Sequence, residues 1–200
     1  MTKSIWFFVS VALFLILVSG GAYVLSGGRV APPASISTAP EAPGLAVGKP
    51  VPPFSLRDRD GREFSSENLK GRNVVLFFTE GIMCYPSCWE QMASFAKDNR
   101  FAAASTTVLS VVVDRKEDWQ YAIAKMPALG EALIAFDTDR SVSREFGMLI
   151  QSSSMHYGSY PGHSYVLIDK QGIVRYIFDD PMMAINNDRI LGEIKKLNSL

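Results

Sequence analysis

The stretch Asn73-Val-Val-Leu-Phe-Phe78 is apolar at every position after its first. A strand with one wet face alternates polar and apolar residues, so an uninterrupted run of this length marks a strand buried on both faces. Such a strand demands a layer of structure on each side. Thr107-Val-Leu-Ser-Val-Val-Val-Asp114 reads as a second central strand. Between them the pattern predicts a helix over 87–98, and Lys116 to Met126 has helical spacing, with Trp119, Ala122 and Ile123 on one side. Leu133 to Phe136 is a short apolar strand, and Val142 to Phe146 one or two helical turns. Upstream, Val51 to Phe64 reads as a short strand turning at Asp60-Gly61 into its partner. Downstream, Ser164 to Asp169 and Ile173 to Phe178 form a hairpin across Lys170-Gln-Gly172. A last helix runs from Asn187, read as its N-cap, with Ile190, Leu191 and Ile194 on one face. Strands alternating with helices and then closing in an antiparallel pair specify an α/β fold, a mixed central sheet with helices on both faces. Trp89, Phe95, Trp119 and Phe146 are expected in its core.

The first residues do not belong to that pattern. From Ser4 to Gly28 there is no charge, and Ile5 to Val18 is almost continuously apolar. A helix over 5–25 would be roughly 31 Å long, the thickness of a bilayer's hydrocarbon core. Residues 1–27 are therefore expected to be a single-pass transmembrane anchor. A cleaved signal segment is the rival, although no Ala-x-Ala site is present. Lys3 and the terminal amine against Arg29 favour an N-terminus in the cytosol and the body of the chain on the extracytoplasmic side of the cell membrane. Residues 28–47, rich in Pro and Ala, read as a linker, leaving 48–200 as the folded domain.

Composition then narrows the chemistry. Twenty Lys+Arg against 20 Asp+Glu give no net charge, so a nucleic-acid partner is not expected. Two Cys and two His in 200 residues exclude a multi-disulfide scaffold, a four-Cys zinc site and an iron–sulfur cluster. Both Cys fall in Thr79-Glu-Gly-Ile-Met-Cys84-Tyr-Pro-Ser-Cys88, between the most apolar strand and the following helix. Functional groups of an open sheet gather at the carboxyl ends of its strands, and a helix N-terminus stabilises a thiolate. Cys84, at or just before the first turn, is the candidate nucleophile, and both sulfurs are expected to be neighbours reachable from solvent. Four residues apart, they can cycle between dithiol and disulfide, although the i, i+4 spacing calls for some distortion of the first turn. Two thiolates on one face can instead hold a soft metal ion.

Both histidines, His156 and His163, lie in the polar loop Ser152 to His163. His163, immediately before a core strand, is the one expected beside the Cys loop. His156 and Met155 read as ordinary loop residues. Cys84, Cys88 and His163 would suit copper by softness and number. Asp179-Asp180-Pro-Met-Met183 has no assigned role, and its methionine pair is read as packing.

From Gly48 onward the chain resembles the redoxin branch of the thioredoxin superfamily, the alkyl hydroperoxide reductase/thiol-specific antioxidant proteins. The matching residues are Gly48-Lys-Pro-Val-Pro-Pro-Phe-Ser-Leu56, Asp60-Gly61, Leu69 to Phe78, Cys84 with Cys88, and Tyr165 to Gly172. The resemblance implies a thioredoxin-like fold and a thiol-dependent oxidoreductase, without a cofactor, acting on peroxide or on protein thiols and disulfides. Cys84 would attack, Cys88 resolve, and His163 orient or deprotonate a thiol. Phe77 and Gly81 stand where the peroxiredoxin pattern Pro-x-x-x-Thr-x-x-Cys has Pro and Thr. His163 falls near the thioredoxin cis-Pro position, with Tyr160–Pro161 as the nearby bond able to be cis. Cys-x-x-x-Cys with a distant His is similar to the membrane-anchored Sco-type copper proteins. That likeness implies the alternative, copper carried for delivery by Cys84, Cys88 and His163.

Overall fold

The computed structural model describes residues 44–199. The expected anchor at 1–27 and nearly all of the linker lie outside them. Among the described residues no helix is long and apolar enough to cross a membrane.

Seven strands make one sheet in the order β2-β1-β5-β4-β3-β6-β7. They are β1 Ser55–Asp58, β2 Glu63–Ser65, β3 Asn73–Phe78, β4 Thr106–Val112, β5 Ile134–Phe136, β6 Ser164–Ile168 and β7 Val174–Asp179. The helices are α1 Ser87–Lys97, α2 Arg100–Ala103, α3 Trp119–Lys125, α4 Ser141–Glu145 and α5 Asn187–Asn198, with short 3-10 turns between. β3, β4 and β5 run parallel, while β1 and β6 pair antiparallel to β5 and β3. The sheet is mixed, as its sequence pattern requires.

β3 shows why the run is unbroken. Val75 and Phe77 pack into a cluster with Trp89, Met92, Trp119, Ile190 and Ile194, from α1, α3 and α5. Val74, Leu76 and Phe78 pack into a second cluster with Val142, Phe146 and Phe54 on the opposite face. Every residue of β3 is buried. Trp89, Phe95, Trp119 and Phe146 are all buried, as expected.

Two local expectations need correction, and one element has no counterpart in the sequence pattern. The α2 turn at Arg100–Ala103 has no apolar period long enough to announce it. Asn187 is the first residue of α5, not its cap. Its amide side chain is engaged elsewhere, accepting from Gln91 Nε2 at 2.8 Å and donating to Asp98 Oδ2 at 2.9 Å. The cis peptide among the described residues is Tyr85–Pro86, beside Cys84, and not Tyr160–Pro161.

Candidate active site

The Cys loop begins where β3 ends. Glu80, Gly81, Ile82 and Met83 turn the chain, and α1 starts at Ser87. Gly81 has φ +64°, and a Cβ there would lie 1.8 Å from Asp114 Oδ2. Only glycine fits both demands. Asp114, just beyond β4, accepts from Ile82 N at 3.0 Å and from Trp119 Nε1 at 3.2 Å, and burial raises its pKa. Trp89 Nε1 donates to the Gly81 carbonyl at 3.2 Å. The loop is thus pinned to α1, β4 and α3 before either sulfur is considered.

Cys84 precedes α1 and Cys88 is its second residue. The two are joined as a disulfide with Cα atoms 5.3 Å apart, within the ordinary range. The expectation that both sulfurs face solvent does not hold, since Cys84 is 3% exposed and Cys88 1%. Met183 is responsible on the Cys84 side, its Sδ resting 3.9 Å from Cys84 Sγ. The methionine pair is therefore split, with Met183 against the sulfur and Met182 exposed to solvent.

His163 is brought to the same place by the start of β6. Its backbone N donates to Ser153 Oγ at 2.6 Å, and its carbonyl accepts from Asp180 N at 3.0 Å. The ring meets Cys88, not Cys84, with Nδ1 3.4 Å from Cys88 Sγ. The tautomer follows from the hydrogen bonds behind it. Gln91 Oε1 accepts from the backbone N of Asn186 at 2.7 Å, which fixes it as the amide oxygen. Tyr165 Oη lies 3.0 Å from that oxygen and must donate its one proton there. At 2.8 Å from His163 Nε2, the phenol oxygen can then only accept, so Nε2 carries the ring proton. The lone pair of Nδ1 faces Cys88. Burial pushes the imidazole pKa down to about 4, against the opposing pull of Asp180 and Asp179, so the ring is neutral at pH 7. Burial likewise raises the Tyr165 phenol pKa, keeping it protonated.

Glu80 holds the other wall. It is 1% exposed, and its Oε1 accepts from Met155 N at 2.6 Å and His156 N at 3.0 Å, while Oε2 pairs with His156 Nδ1 at 3.0 Å. His156 is thus a clasp for the 152–163 loop and does not reach the sulfurs' cluster. Cys84, Cys88 and His163 each place a donor atom within 4.8 Å of the others. Tyr165 was legible as a partner, because residues i and i+2 of a strand share a face and His163 precedes it by two. Gln91, Asn186, Glu80 and Met183 carried no sequence signal, because each meets a partner 74 to 99 residues away in the chain.

The pattern of the AhpC/TSA family matches residues 47–177. The chain is 30% identical over 137 residues to a chloroplastic peroxiredoxin Q of Sedum lineare, covering 68% of this chain and 70% of that protein. It is 29% identical over 156 residues to peroxiredoxin Bcp of Escherichia coli K12, covering 76% of this chain and 97% of that one. In structure it is similar to the reduced 2-Cys peroxiredoxin of Plasmodium vivax, with a TM-score of 0.65 and 21% identity over 78% of this chain and 83% of that one. It is also similar to the peroxidoxin BcpB of Mycobacterium tuberculosis, with a TM-score of 0.63 and 20% identity over 77% of this chain and 99% of that one. At such identities the two structures speak for the fold alone, a thioredoxin-like one.

Proposed function

The chain belongs to the AhpC/TSA family, and from that membership we propose that it is a peroxiredoxin-like thiol peroxidase in which Cys84 attacks and Cys88 resolves. The positive end of α1 favours the Cys84 thiolate. That thiolate attacks the terminal oxygen of a hydroperoxide, the O–O bond breaks, and the alkoxide or hydroxide takes up a proton. Cys84 is left as a sulfenic acid. Cys88 then gives its proton to His163 Nδ1 and attacks Cys84 Sγ. The S–O bond breaks, and the departing hydroxide recovers the proton as water. Two thiols and one peroxide give one disulfide, one alcohol and one water, with no cofactor. A dithiol reductant returns the pair to its starting state.

The observation that carries this reading is the Cys84–Cys88 pairing with a neutral imidazole 3.4 Å from the second sulfur. The absence of the Pro and Thr of the peroxiredoxin pattern, replaced by Phe77 and Gly81, predicts a slower first step than in relatives that have them. The test is peroxide consumption by the reduced full chain. Loss of two thiols per peroxide, abolished in Cys84→Ser, supports the reading. Unchanged consumption in Cys84→Ser contradicts it.

A second reading is favoured by the cluster of three donors. In the reduced chain the two thiolates and His163 Nδ1 would hold a copper ion as cargo. Tetrahedral bonds of about 2.0–2.3 Å place ligand atoms about 3.3–3.8 Å apart. The 3.4 Å separation of Cys88 Sγ and His163 Nδ1 fits that edge. For either activity the charge-free segment at 4–28 supports a membrane-tethered domain on the extracytoplasmic side, where a disulfide persists.

A further inference from the structure

We propose that Met183 is the fourth ligand of a Cu(I) site completed by Cys84, Cys88 and His163, an inference that rests on the copper-carrying reading above. The loop between β7 and α5 is built to present this side chain. Asp180 N donates to the carbonyl of His163 itself at 3.0 Å. The Asp180 carboxylate then accepts from Met182 N at 3.0 Å, Ala184 N at 2.9 Å and Asn186 Nδ2 at 2.7 Å. Met183 N closes the turn onto Asp180 O at 3.0 Å. Within this knot Met183 holds φ +49°, a left-handed conformation that an unbranched L-residue adopts only at a cost. The result is that Met183 alone turns inward, while Met182, Ala184 and Ile185 face solvent.

Its thioether ends 3.9 Å from Cys84 Sγ, close to one edge of a tetrahedron with metal–sulfur bonds of about 2.3 Å. The other two donors, Cys88 Sγ and His163 Nδ1, lie 3.4 Å apart, the length of a second such edge. Once the disulfide is reduced the two sulfurs must part to about 3.8 Å to share the ion. Reduction therefore opens the site and oxidation closes it. The donor set decides the metal. A thioether adds little for zinc or a hard cation, but two thiolates, an imidazole and a thioether suit Cu(I). Simple packing beside the sulfur would be served as well by leucine, which is similar in volume and has no donor atom.

The full chain, reduced with a phosphine and kept anaerobic, is titrated with Cu(I) against a chromophoric chelator, and the copper environment is read by X-ray absorption. The proposal expects one Cu(I) per chain with three sulfur neighbours. In Met183→Leu it expects two sulfur neighbours and at least about tenfold weaker Cu(I) binding, with Zn(II) affinity unchanged. Two sulfur neighbours in the unaltered protein, or equal Cu(I) affinity in the two, would overturn the role of Met183 and leave copper carriage standing. No Cu(I) retained beyond that of a Cys84→Ser/Cys88→Ser control would overturn both. The sulfur count in the unaltered chain decides the matter even if the variant does not fold.

Discussion

His163 faces Cys88, with Nδ1 3.4 Å from that sulfur, and its opposite nitrogen donates to Tyr165. The imidazole therefore serves the second thiol of the pair. His163→Ala is expected to slow disulfide closure about 100-fold, the usual worth of a positioned base, while oxidation of Cys84 changes by less than about threefold. Tyr165→Phe removes the acceptor that fixes the Nε2–H tautomer and should slow the same step with Cys84 oxidation unchanged. Rapid-quench trapping of free thiols and sulfenic acid separates the two steps. Slowing of the first step alone would contradict the assignment.

The same ring sets an acid limit on stability. Its pKa falls from 6.5 to about 4 on folding, because burial disfavours the charge. Between those values the unfolded chain binds a proton that the native chain does not. Stability is therefore full above about pH 6.5, falls as pH drops through the window, and loses no more from this group below about pH 4. At 1.36 kcal/mol per pKa unit the loss is about 3 kcal/mol. Asp114 and Asp137, whose pKa values burial raises, act in the opposite sense. The contribution is read as the difference between the metal-free oxidised protein and its His163→Gln variant in denaturant titrations at pH 7 and pH 4.5.

Gly81 and Gly61 make a controlled pair. Both have left-handed φ, +64° and +80°, but a Cβ at Gly61 meets nothing within 4 Å, whereas one at Gly81 enters the Asp114 carboxylate. Gly61→Ala should cost about 1 kcal/mol of unfolding free energy, and Gly81→Ala at least 2 kcal/mol more, since Asp114 must release Ile82 or Trp119. Equal costs would show that the loop is not pinned at this point.

Glu80 is the acceptor that holds the 152–163 loop against the Cys loop. In Glu80→Ala the amide of Met155 loses its acceptor and that of His156 keeps only Ser154 Oγ. Their hydrogen exchange should quicken by roughly tenfold or more, the equivalent of about 1–3 kcal/mol of lost hydrogen bonding. Exchange at β4 should be unaffected.

Much of the fold was legible because burial on both faces leaves a direct mark. The unbroken β3 run, the largely apolar β4 run, the spacing of Trp119 and Ala122, and the late hairpin each predict their element to within a few residues. Cys84 and Cys88 both follow the carboxyl end of β3, and because β6 runs antiparallel to β3, with Phe78 opposite Ser164, His163 at the start of β6 arrives at that same end. The remainder lies in contacts between loops far apart in sequence. Met183 reaches Cys84 across 99 residues and Glu80 reaches His156 across 76, and no local period records either. For the same reason the burial of both sulfurs was not foreseen, since the residue over Cys84 belongs to a loop that carries no pattern of its own.

The order of events at the two sulfurs is the center of this account, and Cys88→Ser tests it most directly. Reduced Cys88→Ser protein is treated with one equivalent of hydrogen peroxide in the presence of a sulfenic-acid-trapping diketone, and the modified residue is located by peptide mass spectrometry. The account predicts one adduct per chain, on Cys84, with no adduct on Cys88 in the matching Cys84→Ser protein. An adduct on Cys88 in Cys84→Ser at the same rate, or no adduct on Cys84 while peroxide is still consumed, would contradict it.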